Sequence, residues 1–192
     1  RAVTLARMEA HLDALAEDPN RPERPERITA LVEAPQPMRD LLIRRRLATT
    51  DQDLQGALLE VRARRWYRTR PIRDLRIVDV DGVMLCCADY DYEDRAIHVV
   101  LAFTPIEEIS RIGAAVATHL AGVDPARHPV IDLMTWRSEA GPNADELSGA
   151  LSDQLAFWEL GRPLWRLDVT VSTLGKDIDP ANTTQYFTFR GQ

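Results

Sequence analysis

Residues 75–103 read LRIVDVDGVMLCCADYDYEDRAIHVVLAF, and their period decides the fold. From 75 to 80 apolar and polar residues alternate, as they do in a strand with one covered face. Asp81-Gly82 follows, the turn chemistry of a two-residue hairpin, and 83–92 returns as a second strand. Glu93 and Asp94, with Arg95, predict a second turn, and 96–103 a third strand in which Ile97, Val99, Leu101 and Phe103 share one face. Next comes Thr104-Pro105-Ile106-Glu107, which predicts a helix start: a threonine cap, proline in the first turn and a glutamate closing a capping box. Ile109, Ile112, Val116 and Leu120 form its apolar stripe, and Gly122 is its stop.

Downstream the alternation repeats. Residues 129–136 carry Val130, Ile131, Leu133 and Met134 in a dense apolar run suited to a central strand. After Gly141-Pro142, Asn143 and Glu146 predict another capped helix, with Leu147, Leu151, Leu155 and Trp158 as its stripe. Residues 165–173 and 184–190 predict the last two strands. The expected fold class of 71–192 is therefore α+β, in the order βββαβαββ. It would be a roughly six-stranded, mainly antiparallel sheet with two helices on one face, since both stripes need the sheet to cover them.

Residues 1–70 read differently. Leu5, Met8, Leu12 and Leu15 place one stripe along a helix over 2–17, which Asp18-Pro19-Asn20 ends. A short helix over 28–34 stops at Pro35-Gln36-Pro37, and another covers 38–48. Thr50, with Asp53 three residues on, predicts the cap of a longer helix to about residue 65, with Leu54, Leu58 and Val61 as its buried stripe. A stack of short helices broken by prolines reads as a helical linker or the end of a helical domain.

The bulk properties fit a globular chain: 192 residues, 45% hydrophobic and 28% charged. Net charge is −6, spread unevenly. Residues 1–70 hold 14 Arg against 11 acids, whereas 71–192 hold 10 basic residues against 19 acids. An acidic main body argues against nucleic-acid binding. The arginines at 44–46 and 62–70 suit a solvated face, with an acidic partner as the alternative. No apolar run reaches membrane-span length and no signal peptide opens the chain, so we expect no membrane contact and a cytoplasmic setting. Because it starts at Arg1, we expect an excised piece of a longer polypeptide.

Side chains suited to chemistry are sparse in pattern. Cys86 and Cys87 are adjacent, point to opposite faces of a strand, and are expected neither to bridge nor to share a metal. His11, His98, His119 and His128 are dispersed, with no metal-ligand spacing between them. Asp79 and Asp81 flank a turn, and Asp89 and Asp91 share a strand face. Paired carboxylates suit acid–base or divalent-ion chemistry, but turn and edge solvation explains them more simply. No glycine-rich phosphate loop precedes either helix, and Ser110, Ser138, Ser148, Ser152 and Ser172 lack a nucleophile elbow. Lys176, the one lysine, lacks the flanking methionines of a biotin attachment site. Trp66, Trp136, Trp158 and Trp165 read as core or interface anchors. No catalytic, cofactor-binding or metal residue is expected from these patterns.

Residues 41–46, 49–59 and 64–68, together with the closing Gln185-Tyr186-Phe187-Thr188-Phe189-Arg190, carry a resemblance. After the strand–helix order above, that ending is similar to the central region of single-chain, multidomain biotin-dependent acyl-CoA carboxylases, of the eukaryotic acetyl-CoA carboxylase type. The resemblance implies a non-catalytic region between the biotin carboxylase and carrier parts and the carboxyltransferase part. It matches 71–192 to the first of two α+β modules and 1–70 to the helical region before it. Gln185 stands where that family often has His. By the same resemblance the parent would be a homo-oligomeric ligase of fatty acid biosynthesis using biotin, ATP and Mg, with none of these cofactors held in this stretch. Partners would be neighbouring domains of the same polypeptide.

The expected function is thus a scaffold that spaces catalytic domains. The rival is a free-standing module binding a small ligand or a protein on an open sheet face, to which His98, Val100 and Ala102 would belong. A third reading is an enzyme using Asp89, Asp91 and His98.

Overall fold

A computed structural model describes residues 2–69, 71–124, 126–128 and 130–137, and the backbone of 166–173 and 183–189. It is mixed α+β, with five α-helices among the described residues and an open sheet. The first helix, α1 (Leu5–Glu17), is capped by Thr4, whose hydroxyl accepts from Arg7 N–H, and buries Met8, Leu12 and Leu15. Helices α2 (Arg24–Glu33) and α3 (Gln36–Arg46) begin four and two residues before expectation. Pro25 and Pro37 sit in their first turns, where a missing N–H breaks no helical bond.

In α4 (Gln52–Trp66) the cap is Asp51, not Thr50: the aspartate accepts from the N–H groups of Asp53 and Leu54. Nor is its burial a single stripe. Every residue from Gly56 to Ala63 is buried. Leu58 and Val61 line a small gap with Leu12, Leu31 and Ile43, while Leu59 faces Leu101 and Met134. This helix is a central layer, with α1 and α2 on one side and the sheet on the other. Gly56 allows the approach, since a Cβ there would lie 3.0 Å from Ile77 Cγ2.

Strands β1 (Arg73–Val80), β2 (Val83–Tyr92) and β3 (Arg95–Ala102) form two antiparallel hairpins. Both turns hold two residues at positive φ, Asp81 and Gly82 in one and Glu93 and Asp94 in the other, which matches the twist of the flanking strands. Asp79 Oδ1 accepts from Gly82 N–H at 2.8 Å. After β3 the chain passes a 3-10 turn at Ile106–Glu108 and then α5 (Ile109–Leu120). The expected capping box does not form: no side chain caps either element. Instead Thr104 O accepts from the Thr135 hydroxyl and Phe103 O from Trp136 Nε1–H, so strand β4 (Val130–Arg137) holds this corner.

The strand–helix–strand passage from β3 through α5 brings β4 back parallel to β3. The backbone of Arg166–Thr173 pairs parallel to β4, and that of Thr183–Phe189 antiparallel to Arg166–Thr173. Among the described residues three of the five strand pairs are antiparallel, in line with the mainly antiparallel expectation, while the two central pairs are parallel. The parallel β3–β4 pair follows from the crossover through α5, which a hairpin cannot provide. The helix expected after Asn143, with Trp158, lies outside the described residues, as do Trp165 and Lys176.

Both faces of β2 and β3 are covered. Met84, Cys86, Val99, Leu101 and Phe103 pack into one apolar core with α1–α4, and Leu85, Cys87, Val100 and Ala102 into another with α5. The face expected to lie open is buried: Val100 and Ala102 lie under Ile112, Ala115 and Val116. The arginines of α3 are also partnered, Arg45 by Glu9 and Arg46 by Asp13, both on α1. No helix among the described residues is long and apolar enough to cross a membrane.

Candidate metal centre

Cys87 and Asp89 are two residues apart in β2, so both side chains fall on the α5 face. The antiparallel register sets His98 of β3 directly across from Asp89. α5 then returns over that face and delivers His119 in its last turn, and the loop after it delivers His128. Five side chains from two strands, a helix end and a loop thus meet.

The geometry is tight. His98 Nδ1 lies 2.7 Å from Asp89 Oδ1, and His98 Nε2 lies 2.9 Å from His119 Nε2. Cys87 Sγ is 3.3 Å from His119 Nε2, and His128 Nε2 is 3.2 Å from Asp89 Oδ2. Arg73 adds a longer ion pair to Asp89 at 3.7 Å. Cys87, Asp89 and His98 are buried, whereas His119 and His128 are half-buried, so the cluster is reached from the helix-end side.

Charges follow from this burial. Burial alone would raise the Asp89 carboxyl, but hydrogen bonds and charge from His98 and then His128 outweigh it and hold the group below its ordinary range. Burial lowers His98 despite its bond to Asp89. His119 is pushed down to about 4 by burial and then by the neighbouring His98. Both imidazoles are accordingly neutral at pH 7. With His98 donating Nδ1–H to Asp89, its Nε2 carries a lone pair aimed at His119. Burial also pushes the Cys87 thiol up to about 12, so it is no nucleophile in the absence of a cation.

Two sets of ligand atoms lie close enough to hold a metal ion: Cys87, His98 and His119, and Asp89, His98 and His128. They compete for His98. Using the second would break the 2.7 Å bond between His98 and Asp89. The first leaves that bond intact and uses His98 Nε2, which faces His119 Nε2 at 2.9 Å.

The remaining candidates stay apart. Asp79 is engaged in its turn and accepts from Gln52 Nε2, and Asp81 is a turn residue. Asp91 is exposed and pairs with Arg73, so of the trio Asp89, Asp91 and His98 only Asp89 and His98 come together. His11 sits beside Arg27 near the helix stack. Cys86 is buried on the opposite sheet face, and neither cysteine is bridged. Trp136 is a core residue, while Ser138, Ser148 and Ser152 lie outside the described residues. Sequence spacing missed the histidine cluster because its members are 9 to 30 residues apart from one another and meet only across strands. The one local signal was parity: Cys87 and Asp89 on one strand face, with His98 opposite in the hairpin.

No protein-family model matches the sequence, and no curated protein does. Among solved structures, the chain is similar to the crystal structure of the central domain of yeast acetyl-CoA carboxylase, with a TM-score of 0.63 at 13% identity. The match covers 96% of this chain and 32% of that one, so this chain spans about a third of its length. At that identity the likeness establishes a shared fold.

Proposed function

We propose that this chain is a non-catalytic scaffold within a biotin-dependent acyl-CoA carboxylase of the acetyl-CoA carboxylase type. It would hold the biotin carboxylase, biotin carrier and carboxyltransferase parts at working distances. The observation that carries the reading is the fold likeness to an acetyl-CoA carboxylase central domain over 96% of the chain. Its packing agrees, because one apolar core joins the helices of 1–70 to the sheet and makes a stiff block suited to spacing.

In this reading 71–192 is a complete βββαβαββ module of six strands and two helices, preceded by the helical segment 1–70. Biotin, ATP and Mg belong to other parts of a cytoplasmic, homo-oligomeric ligase acting in fatty acid biosynthesis, and the partners are neighbouring domains.

Deleting 71–192 from the intact parent enzyme should abolish overall acyl-CoA carboxylation. Carboxylation of free biotin and the isolated carboxyltransferase half-reaction should persist. Loss of either half-reaction while its own domain stays folded would refute the scaffold role.

A further inference from the structure

We propose that Cys87, His98 and His119 form a three-ligand zinc site that ties the end of α5 to strands β2 and β3, with Asp89 orienting His98. The site stands on the geometry of this chain and does not rest on the carboxylase reading.

Four observations point the same way. The donor set, one thiolate sulfur and two imidazole nitrogens, is the kind a borderline-soft divalent ion selects. Its spacing is close to what the ion requires. A tetrahedral centre with Zn–N of about 2.0–2.1 Å and Zn–S of about 2.3 Å separates ligand nitrogens by about 3.3 Å and nitrogen from sulfur by about 3.5 Å. Here the distances are 2.9 Å and 3.3 Å, so side-chain shifts of a few tenths of an ångström admit the ion.

The third observation is the outer shell. His98 donates Nδ1–H to a buried carboxylate, which fixes the tautomer that leaves a lone pair on Nε2 and raises its basicity. Asp89 is in turn held by His128 and Arg73. The carboxylate–imidazole half of a carboxylate–imidazole–metal arrangement is thus in place before any ion arrives. Fourth, two imidazole Nε2 atoms at 2.9 Å need a shared proton between them, or a cation, to offset lone-pair repulsion. On binding, His119 would carry its proton on Nδ1 and present Nε2, and the Cys87 thiol proton would pass to solvent. The ion's charge then offsets the burial cost that otherwise keeps this sulfur protonated. The fourth position is left to water or an exogenous ligand on the half-buried side of His119.

The test uses the full chain, freed of any histidine tag and stripped by chelator, then titrated with Zn²⁺ against a chromophoric competitor. Co²⁺ serves as a parallel optical probe. One equivalent of Zn²⁺ should bind, and Co²⁺ should give tetrahedral d–d bands plus a thiolate charge-transfer band. Cys87→Ser should remove the charge-transfer band. Because Cys87 is fully buried, His119→Ala at the half-buried rim is the variant safer for folding, with circular dichroism as the check, and it should abolish stoichiometric binding. Asp89→Asn should weaken affinity roughly 10–100-fold, and His128→Ala should leave the charge-transfer band in place. The assignment fails if the stripped chain takes up no zinc. It fails equally if binding survives His119→Ala, or if His128→Ala removes binding while Cys87→Ser keeps it.

Discussion

Asp89 is the residue on which the cluster turns, since it receives both His98 and His128 and gives the site its only anionic group in the absence of a thiolate. Beside it His98 and His119 are kept neutral by burial, and that has a consequence for stability. His119 falls from an ordinary 6.5 to about 4 in the folded chain, and His98 and His11 are also lowered. The unfolded chain therefore binds protons more readily than the folded one between those values. Stability is fully present above about pH 6.5, declines as pH falls toward 4, and levels off for His119 below that. Asp89, lowered below its ordinary 3.8, extends the loss at more acid pH. In the metal-free protein the urea midpoint should fall steadily from pH 7 to pH 4. His119→Gln, which cannot charge, should flatten that slope, and an unchanged slope would show that this histidine does not titrate as placed.

Elements here are specified by turns more than by caps. The Asp81-Gly82 hairpin has the residues its positive-φ geometry favours, whereas the second hairpin asks Glu93 and Asp94 to adopt φ values of 48° and 61°. A left-handed conformation costs a non-glycine residue roughly 1–2 kcal/mol. Replacing the pair by Asn-Gly (Glu93→Asn with Asp94→Gly) should stabilise the protein by about 1 kcal/mol and raise its melting temperature by roughly 2–4 °C. A melting temperature that stays put or drops would mean the turn is held by contacts that the new residues lose. Helix α5 makes the opposite point. Its expected capping box is absent because β4 anchors the preceding corner through Thr135 and Trp136, so tertiary bonds replace the local one.

Across the whole molecule, α4 joins the helical segment to the sheet, with Leu58 facing α1–α3 and Leu59 facing β3 and β4. Cutting Leu58 to alanine should cost about 2–5 kcal/mol. If the core is continuous, the loss should appear equally in amide exchange of β2 and β3, against which α4 packs. Faster exchange confined to α1–α3 would show two independently unfolding units. Much of this architecture was legible in the chain. Period-2 runs placed β1–β3, a dense apolar run placed β4, Asp81-Gly82 placed a hairpin, and the stripe Ile112, Val116, Leu120 placed α5, because strand pleat, turn conformation and helix repeat are properties of neighbouring residues. Other features were not. Adjacent Leu58 and Leu59 become a two-sided helix only when layers close on both sides, and the parallel β3–β4 pair exists only because α5 carries the chain across the sheet. The meeting of Cys87, Asp89, His98, His119 and His128 depends on strand register and on the return of α5 together. No window of sequence contains both, so that convergence belongs to the tertiary fold alone.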